Sequence, residues 1–294
     1  MNKADRNFSI QPHGLHYNKH FQGTSYEDGV DKPGSHVAPG QKFTYTWQVI
    51  EGPSPSDSAC IPYLYYSATD PIRDTSSGLM GPLLVCKKGT LGENRTQKGV
   101  DKEFFLLFSV MDERLSWYIN ENIEKFGSNE TDVEDEDFVE SNLMHAVNGR
   151  MYGNLQGLQM CAGDKVVWYT FGLGTEADIH GVYFEGNTFK KQSTTRDTIN
   201  LFPHTTATAI MQPNTPGVHE VSCQEWADHF SAGHEASSTE WTLSQTQTRA
   251  PHQRRARPEE LCKYFIRWLN ENSVGTSLSP KRDLGAGKIP PTAH

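Results

Sequence analysis

The sequence predicts an all-β chain, a sandwich or barrel of short strands, on three observations. Apolar runs of strand length recur along the chain. Gly, Pro and Asn clusters separate them at the intervals that turns require. Only one segment, near the C-terminus, carries a helical period.

In chain order, Cys60 and Cys86 flank a strand-like segment. Their spacing suits a local disulfide in an oxidising compartment, and two buried thiols are the other reading. Lys102 to Val110 is a short apolar run suited to a buried strand, and Asp164 to Phe171 reads the same way. Pro213-Asn-Thr-Pro-Gly217 is a turn. It leads into His219-Glu-Val-Ser-Cys223, where the two-residue period puts His219, Val221 and Cys223 on one face. A helix is expected over 258–271: Pro258 stands at a plausible first position with two acids behind it, and Leu261, Tyr264, Phe265, Trp268 and Leu269 fall on one helical face. From Asn272 to His294 the composition is that of a disordered tail, and Arg254-Arg-Ala-Arg257 reads as a solvated basic linker, with a basic contact or cleavage site as the other reading.

Hydrophobic residues make up 35% of the 294, with 11% aromatic, which is ample for a packed core. The formal charge of −9 argues against broad nucleic-acid affinity and suits a cationic substrate. No apolar stretch approaches the ~18 residues of a membrane span. Met1-Asn-Lys-Ala-Asp-Arg lacks the apolar core of a signal peptide. Sequons at Asn7, Asn94 and Asn129 nevertheless point to glycosylation and secretion. The two are reconciled if the chain is a piece of something longer.

The most chemical stretch is Val221-Ser-Cys223 to His234, which holds Cys223, Asp228, His229 and His234 close together. His180 stands alone upstream in Glu176-Ala-Asp-Ile-His180-Gly-Val-Tyr-Phe. A lone upstream imidazole followed by a compact Cys-to-His loop gives a trigonal set of one thiolate and two imidazoles. Soft sulfur beside imidazole nitrogen selects copper, and a weak fourth ligand tunes its potential.

Several blocks carry a resemblance. They are Phe8-Ser-Ile-Gln-Pro-His-Gly14, Ser67-Ala-Thr-Asp-Pro-Ile-Arg-Asp74, Ser77-Gly-Leu-Met-Gly-Pro-Leu-Leu-Val-Cys86, Phe138-Val-Glu-Ser-Asn-Leu-Met-His-Ala-Val-Asn-Gly149, Met151-Tyr-Gly-Asn-Leu-Gln-Gly-Leu158 and Arg196-Asp-Thr-Ile-Asn-Leu-Phe-Pro203. From about Asn2 to Cys223 the chain resembles, in one register, the ceruloplasmin/hephaestin family of multicopper ferroxidases, and within it the middle pair of cupredoxin domains. The A domains of coagulation factors five and eight are a weaker fit. The resemblance implies a cupredoxin-like Greek-key β-sandwich architecture. Residues 1–99 would be a truncated plastocyanin-like domain, 100–246 a nearly complete one, and 247–294 an unmatched tail. A half sandwich exposes a sheet face and open edges, so residues 1–99 are expected to be poorly stable alone.

By the same resemblance His180, Cys223 and His229 fall on type 1 copper ligands. The Cys-to-His loop is one residue longer than the family's, and His234 replaces the axial Met. Glu140, His145 and Asp228 match an iron(II) entry site. The acidic run Glu130, Asp132, Glu134, Asp135, Glu136 and Asp137 lies nearby in sequence, either drawing cations or forming a solvated loop. Cys60–Cys86 matches a family disulfide. Cys161 matches half of another, for which Cys262 is the only candidate partner. The paired His-x-His motifs of the oxygen-reducing copper cluster are missing: Gln11-Pro-His13 and Tyr66-Ser-Ala68 stand in their places, with His13 read as structural.

Two functions follow. One is a copper-binding segment of an extracellular or membrane-tethered multicopper ferroxidase, which oxidises Fe(II) only in concert with the remaining cupredoxin domains of a longer parent. The other is a non-catalytic cupredoxin scaffold, as the coagulation-factor A domains are.

Overall fold

In the computed structural model the described residues are 1–128, 131–174, 178–223 and the main chain of 239–244. The expected helix over 258–271, and with it Cys262, lies outside them. The elements run β1 (Gln11–Pro12), β2 (Cys60–Tyr66), α1 (Pro71–Ser76), β3 (Met80–Cys86), β4 (Lys102–Asp112), α2 (Ile119–Phe126), α3 (Glu136–Ser141), β5 (Leu143–Val147), β6 (Gln159–Cys161), β7 (Val166–Leu173), β8 (His180–Phe184), β9 (Phe189–Lys191), β10 (Thr194–Arg196), β11 (Thr198–Leu201), β12 (Thr206–Met211), β13 (Gly217–Cys223) and β14 (Thr239–Ser244).

Two sheets form a sandwich of the cupredoxin type. One has the order β10-β9-β12-β7-β4-β5, the other β11-β8-β13-β14-β6. Most pairings are antiparallel, but β4–β7 and β6–β14 are parallel. The core between the sheets holds Leu106, Phe108, Trp168, Val182, Phe184, Phe189, Ile199, Met211 and Val221. The three strands expected from the sequence are present, with β4 and β7 each running two residues further towards the C-terminus than their apolar runs suggested.

β7 is buried along its whole length. Val166 and Trp168 face the inter-sheet core, while Val167, Tyr169 and Phe171 face the other way. A strand covered on both faces loses the polar–apolar alternation of a surface strand. Its outer cover is the N-terminal region. There β1, β2 and β3 make a three-stranded sheet in sequence order, with Cys60 directly opposite Cys86 and joined to it in a disulfide. Closing a loop of this size contributes about 3 kcal/mol in the chain-entropy model. Cys60 and Leu64 of β2, with Leu84 of β3, pack on Val167, Tyr169 and Phe171 of β7 and on Phe105 and Leu107 of β4. The Thr206 and Thr208 hydroxyls on β12 donate to the carbonyls of Pro62 and Cys60 at 2.6 and 3.0 Å. The sheet face that would be open in residues 1–99 alone is therefore covered by the sandwich.

One extended segment has no sheet of its own. In 43–47 Phe43, Tyr45 and Trp47 form an aromatic ladder on one face, while Thr44 and Thr46 stay exposed. Tyr45 fixes the ladder: its hydroxyl accepts from the Ile10 N–H at 3.1 Å and donates to the Gly34 carbonyl at 2.5 Å. Side-chain packing and one hydroxyl replace a hydrogen-bonded neighbour strand.

Candidate metal centre

β8 and β13 are antiparallel neighbours with Cys223 opposite Val182. Directly opposed residues point to the same face, and so does the residue two positions away. His180, Val182 and Cys223 therefore share the inward face at one end of the second sheet. The result is a short approach, with Cys223 Sγ 3.8 Å from His180 Nδ1.

The orientation of the imidazole is also fixed. His180 is 2% exposed, and its Nε2 lies 3.1 Å from the Leu173 carbonyl at the end of β7. A carbonyl only accepts, so Nε2 carries the proton and Nδ1 presents its lone pair to the thiol. An outer carbonyl that fixes the tautomer is what a metal-binding imidazole requires. The Phe108 ring packs 6.3 Å from the imidazole and closes its apolar side. Gly174, just after β7, lies against Asp178: a Cβ there would fall 2.4 Å from Asp178 Oδ2. The thiol and the imidazole lone pair fit two donors of a soft-donor metal site. His229 and His234 lie outside the described residues.

His145 is buried on β5, opposite Val110 of β4, and Glu140 is exposed in the last turn of α3. Asp228 lies outside the described residues, as does Glu130. Asp135 caps α3, accepting from the N–H groups of Asp137 and Phe138, and the described part of the acidic run is solvent-exposed. Among the described residues no three His, Cys, Asp or Glu side chains converge as a metal-binding group.

The positions of the missing His-x-His pairs are neighbours in space. β1 pairs with β2 so that Gln11 faces Tyr66. Gln11 donates its amide to the Tyr17 hydroxyl and accepts from the Gly23 N–H at 2.9 Å. Ala68 is 3% exposed, and its N–H donates to Ser9 Oγ at 2.9 Å. Both residues are thus engaged in contacts within the fold. His13 does not stand alone there. His204, from the β11–β12 loop, stacks on it with ring centroids 5.6 Å apart, and Tyr66 lies edge-on at 5.5 Å. The sequence reading missed His204, whose only local sign is that it follows Pro203 at a turn.

Asn7 and Asn94 are exposed, the latter in a turn where the Gly92 N–H donates to the Thr96 carbonyl. Asn129 lies outside the described residues. Cys161 is exposed at the end of β6.

Comparison with known proteins agrees with the fold. The Multicopper oxidase family model matches residues 1–90. Solved structures share the fold: "Multicopper Oxidase mgLAC" at TM-score 0.60 and 18% identity, covering 92% of this chain and 80% of that one. The Blue Copper Oxidase from Nitrosomonas europaea follows at TM-score 0.58 and 15% identity, covering 94% and 80%. Sequence relatives are nearer. Ferroxidase HEPHL1 of Homo sapiens is 55% identical over 79% of this chain and 20% of its own length. Human hephaestin is 50% identical over 79% of this chain and 20% of its length, and human ceruloplasmin 47% over 79% and 23%. Over the matched span the chain is related to the ceruloplasmin/hephaestin multicopper oxidases. It spans about a fifth of the length of the relatives it matches. Among the described residues no helix is long and apolar enough to cross a membrane.

Proposed function

We propose that this chain is a copper-binding segment of a ferroxidase, made of part of one cupredoxin domain (1–99) and most of a second (100–246). The observation that carries the reading is the approach of Cys223 Sγ to His180 Nδ1, with Nε2 tied to the Leu173 carbonyl. Cys223, His180 and His229 hold the copper, with His234 as the fourth donor. Bound there, copper supplies a one-electron acceptor for iron(II). Glu140, His145 and Asp228 receive the iron: two carboxylates and one imidazole bind a ferrous ion weakly enough to release it after oxidation. The surroundings are extracellular or membrane-tethered, where the Cys60–Cys86 disulfide persists.

Gln11, Tyr66 and Ala68 stand where the oxygen-reducing cluster has histidines, and each is committed to the fold. This favours a division of labour in which oxygen reduction belongs to other domains of a longer parent. If the copper ligands fail as a set, the same facts favour the scaffold reading.

The test is spectroscopic. Copper-loaded protein should show an intense thiolate-to-copper absorption band, absent in Cys223→Ser. Iron(II) should bleach it with about one electron per copper and without sustained oxygen uptake, since type 1 copper stores one electron. Stoichiometric copper with no band sensitive to Cys223→Ser would establish the scaffold reading instead.

A further inference from the structure

The N-terminal sheet and the sandwich meet along a seam of apolar contacts and two threonine hydroxyls. At one end of that seam two histidines face each other, one from each side. His13 follows β1 and is anchored by its N–H to the Leu64 carbonyl of β2 at 2.8 Å. His204 sits at the tip of the β11–β12 turn with φ +61°, held by its N–H to the Gly172 carbonyl at 2.9 Å. Both backbones are pinned, so the rings cannot move apart without opening the seam or turning the side chains outward.

We propose that the stacked His13–His204 pair is a proton-sensitive latch between the N-terminal sheet and the sandwich: neutral, it closes the seam, and protonated, it loosens it. The rings are nearly parallel, 22° apart, and Tyr66 packs on the edge of both, 5.5 and 5.8 Å away. Nearly parallel imidazoles keep their in-plane lone pairs from meeting at one metal ion, so stacking is the arrangement's own chemistry. The titratable groups facing the pair are Tyr66 from β2 and Tyr17, which faces Tyr66 from the loop after β1; Tyr63 lies under Gly14. In the β11–β12 turn Phe202, Pro203, Thr205 and Thr206 carry no charge. Two imidazolium ions here would repel each other beside a partly buried phenol.

Burial holds both imidazoles below the ordinary histidine range, and the second ring lowers His13 further. A group whose folded value is depressed binds more protons in the open state. The seam is therefore at full strength above about pH 6.5 and weakens as pH falls through and below it. As a residue His204 is the more solvent-exposed of the two.

Hydrogen exchange on the full chain tests this. With intrinsic rates corrected for pH, protection of β2 and β12 should fall on the order of tenfold between about pH 7.5 and 5.5, while the β8–β13 pairing keeps its protection. His13→Gln with His204→Gln should keep the seam protected at neutral pH and remove most of the acid loss. An unchanged acid loss in that double variant would overturn the latch. If the double variant does not fold, ring NMR of the wild type decides. Both imidazoles should then titrate below the ordinary value, and ordinary or raised midpoints would overturn the proposal.

Discussion

Asp74 shows how much one buried side chain can organise. It is fully buried in α1, and it accepts from Ser67 Oγ at 2.6 Å, from the Asp70 N–H at 3.1 Å and from Trp117 Nε1 at 2.9 Å. Two guanidinium groups in turn lie over the Trp117 ring, Arg6 at 4.8 Å and Arg73 at 4.7 Å from its centre. One carboxylate thus ties the N-terminus, α1 and the start of the sandwich together. Asp74→Ala leaves buried donors without their acceptor, each costing about 1–3 kcal/mol, so a loss of roughly 3 kcal/mol is expected in urea melts, with Asp74→Asn losing about half. The sequence shows Asp74 only as part of a familiar block. Contacts between residues far apart in sequence, the Trp117–Asp74 hydrogen bond and the His13–His204 stack among them, leave no periodic trace, which is why Trp117 and His204 were invisible. The approach of His180 and Cys223 was legible because the copper site proposed here would need those residue types in that order.

At the scale of elements, β7 connects everything. It pairs with β4 and β12 in its sheet, packs its inner face on the sandwich core, and carries the N-terminal sheet on its outer face. Its end supplies the carbonyl that orients His180. Gly172, one residue before that carbonyl, faces the β11–β12 turn so closely that a Cβ would meet the Phe202 carbonyl at 2.7 Å and Leu201 Cβ at 2.9 Å. Both obstacles are backbone or next to it and cannot swing aside. Gly172→Ala should therefore push the turn outward and cost about 1–3 kcal/mol. Thermal melts would measure the cost, and a shift of the His204 ring signals would report the displaced turn. An alanine tolerated with neither change would mean that the contact has slack. The strand itself was legible from its apolar run; its double-sided burial was not, because an unbroken apolar run reads the same whether the second cover is a sheet, a helix or another part of the chain. The short helices α1, α2 and α3 were missed for a related reason. They are too short to show a helical period, and caps such as Asp70 and Asp135 are common in turns as well.

Across the whole molecule, proton linkage limits stability from both sides of neutrality. At the acid end stands the His13–His204 seam. At the alkaline end stand two partly or fully buried tyrosines, Tyr65 in the N-terminal sheet and Tyr169 in the seam. Burial pushes Tyr65 up to about 12. It also raises Tyr169, whose hydroxyl lies 3.0 Å from both Gln97 Oε1 and Glu103 Oε1, with the Glu103 charge opposing ionisation further. In the unfolded chain a tyrosine ionises near pH 10. The folded state therefore holds more protons above that pH. Its stability is complete below about 10 and is lost as pH rises from there through the folded values. The Tyr65 shift alone corresponds to roughly 2–3 kcal/mol by about pH 12. Urea melts between about pH 8 and 11.5 should thus show a falling midpoint with an unchanged slope. Tyr65→Phe should flatten the fall while leaving stability near pH 8 close to wild type, because Tyr65 sits in the N-terminal sheet opposite Gly81 and a phenyl ring fills the same space. A Tyr65→Phe curve parallel to wild type throughout would place the alkaline linkage elsewhere, with Tyr169 the next group to replace.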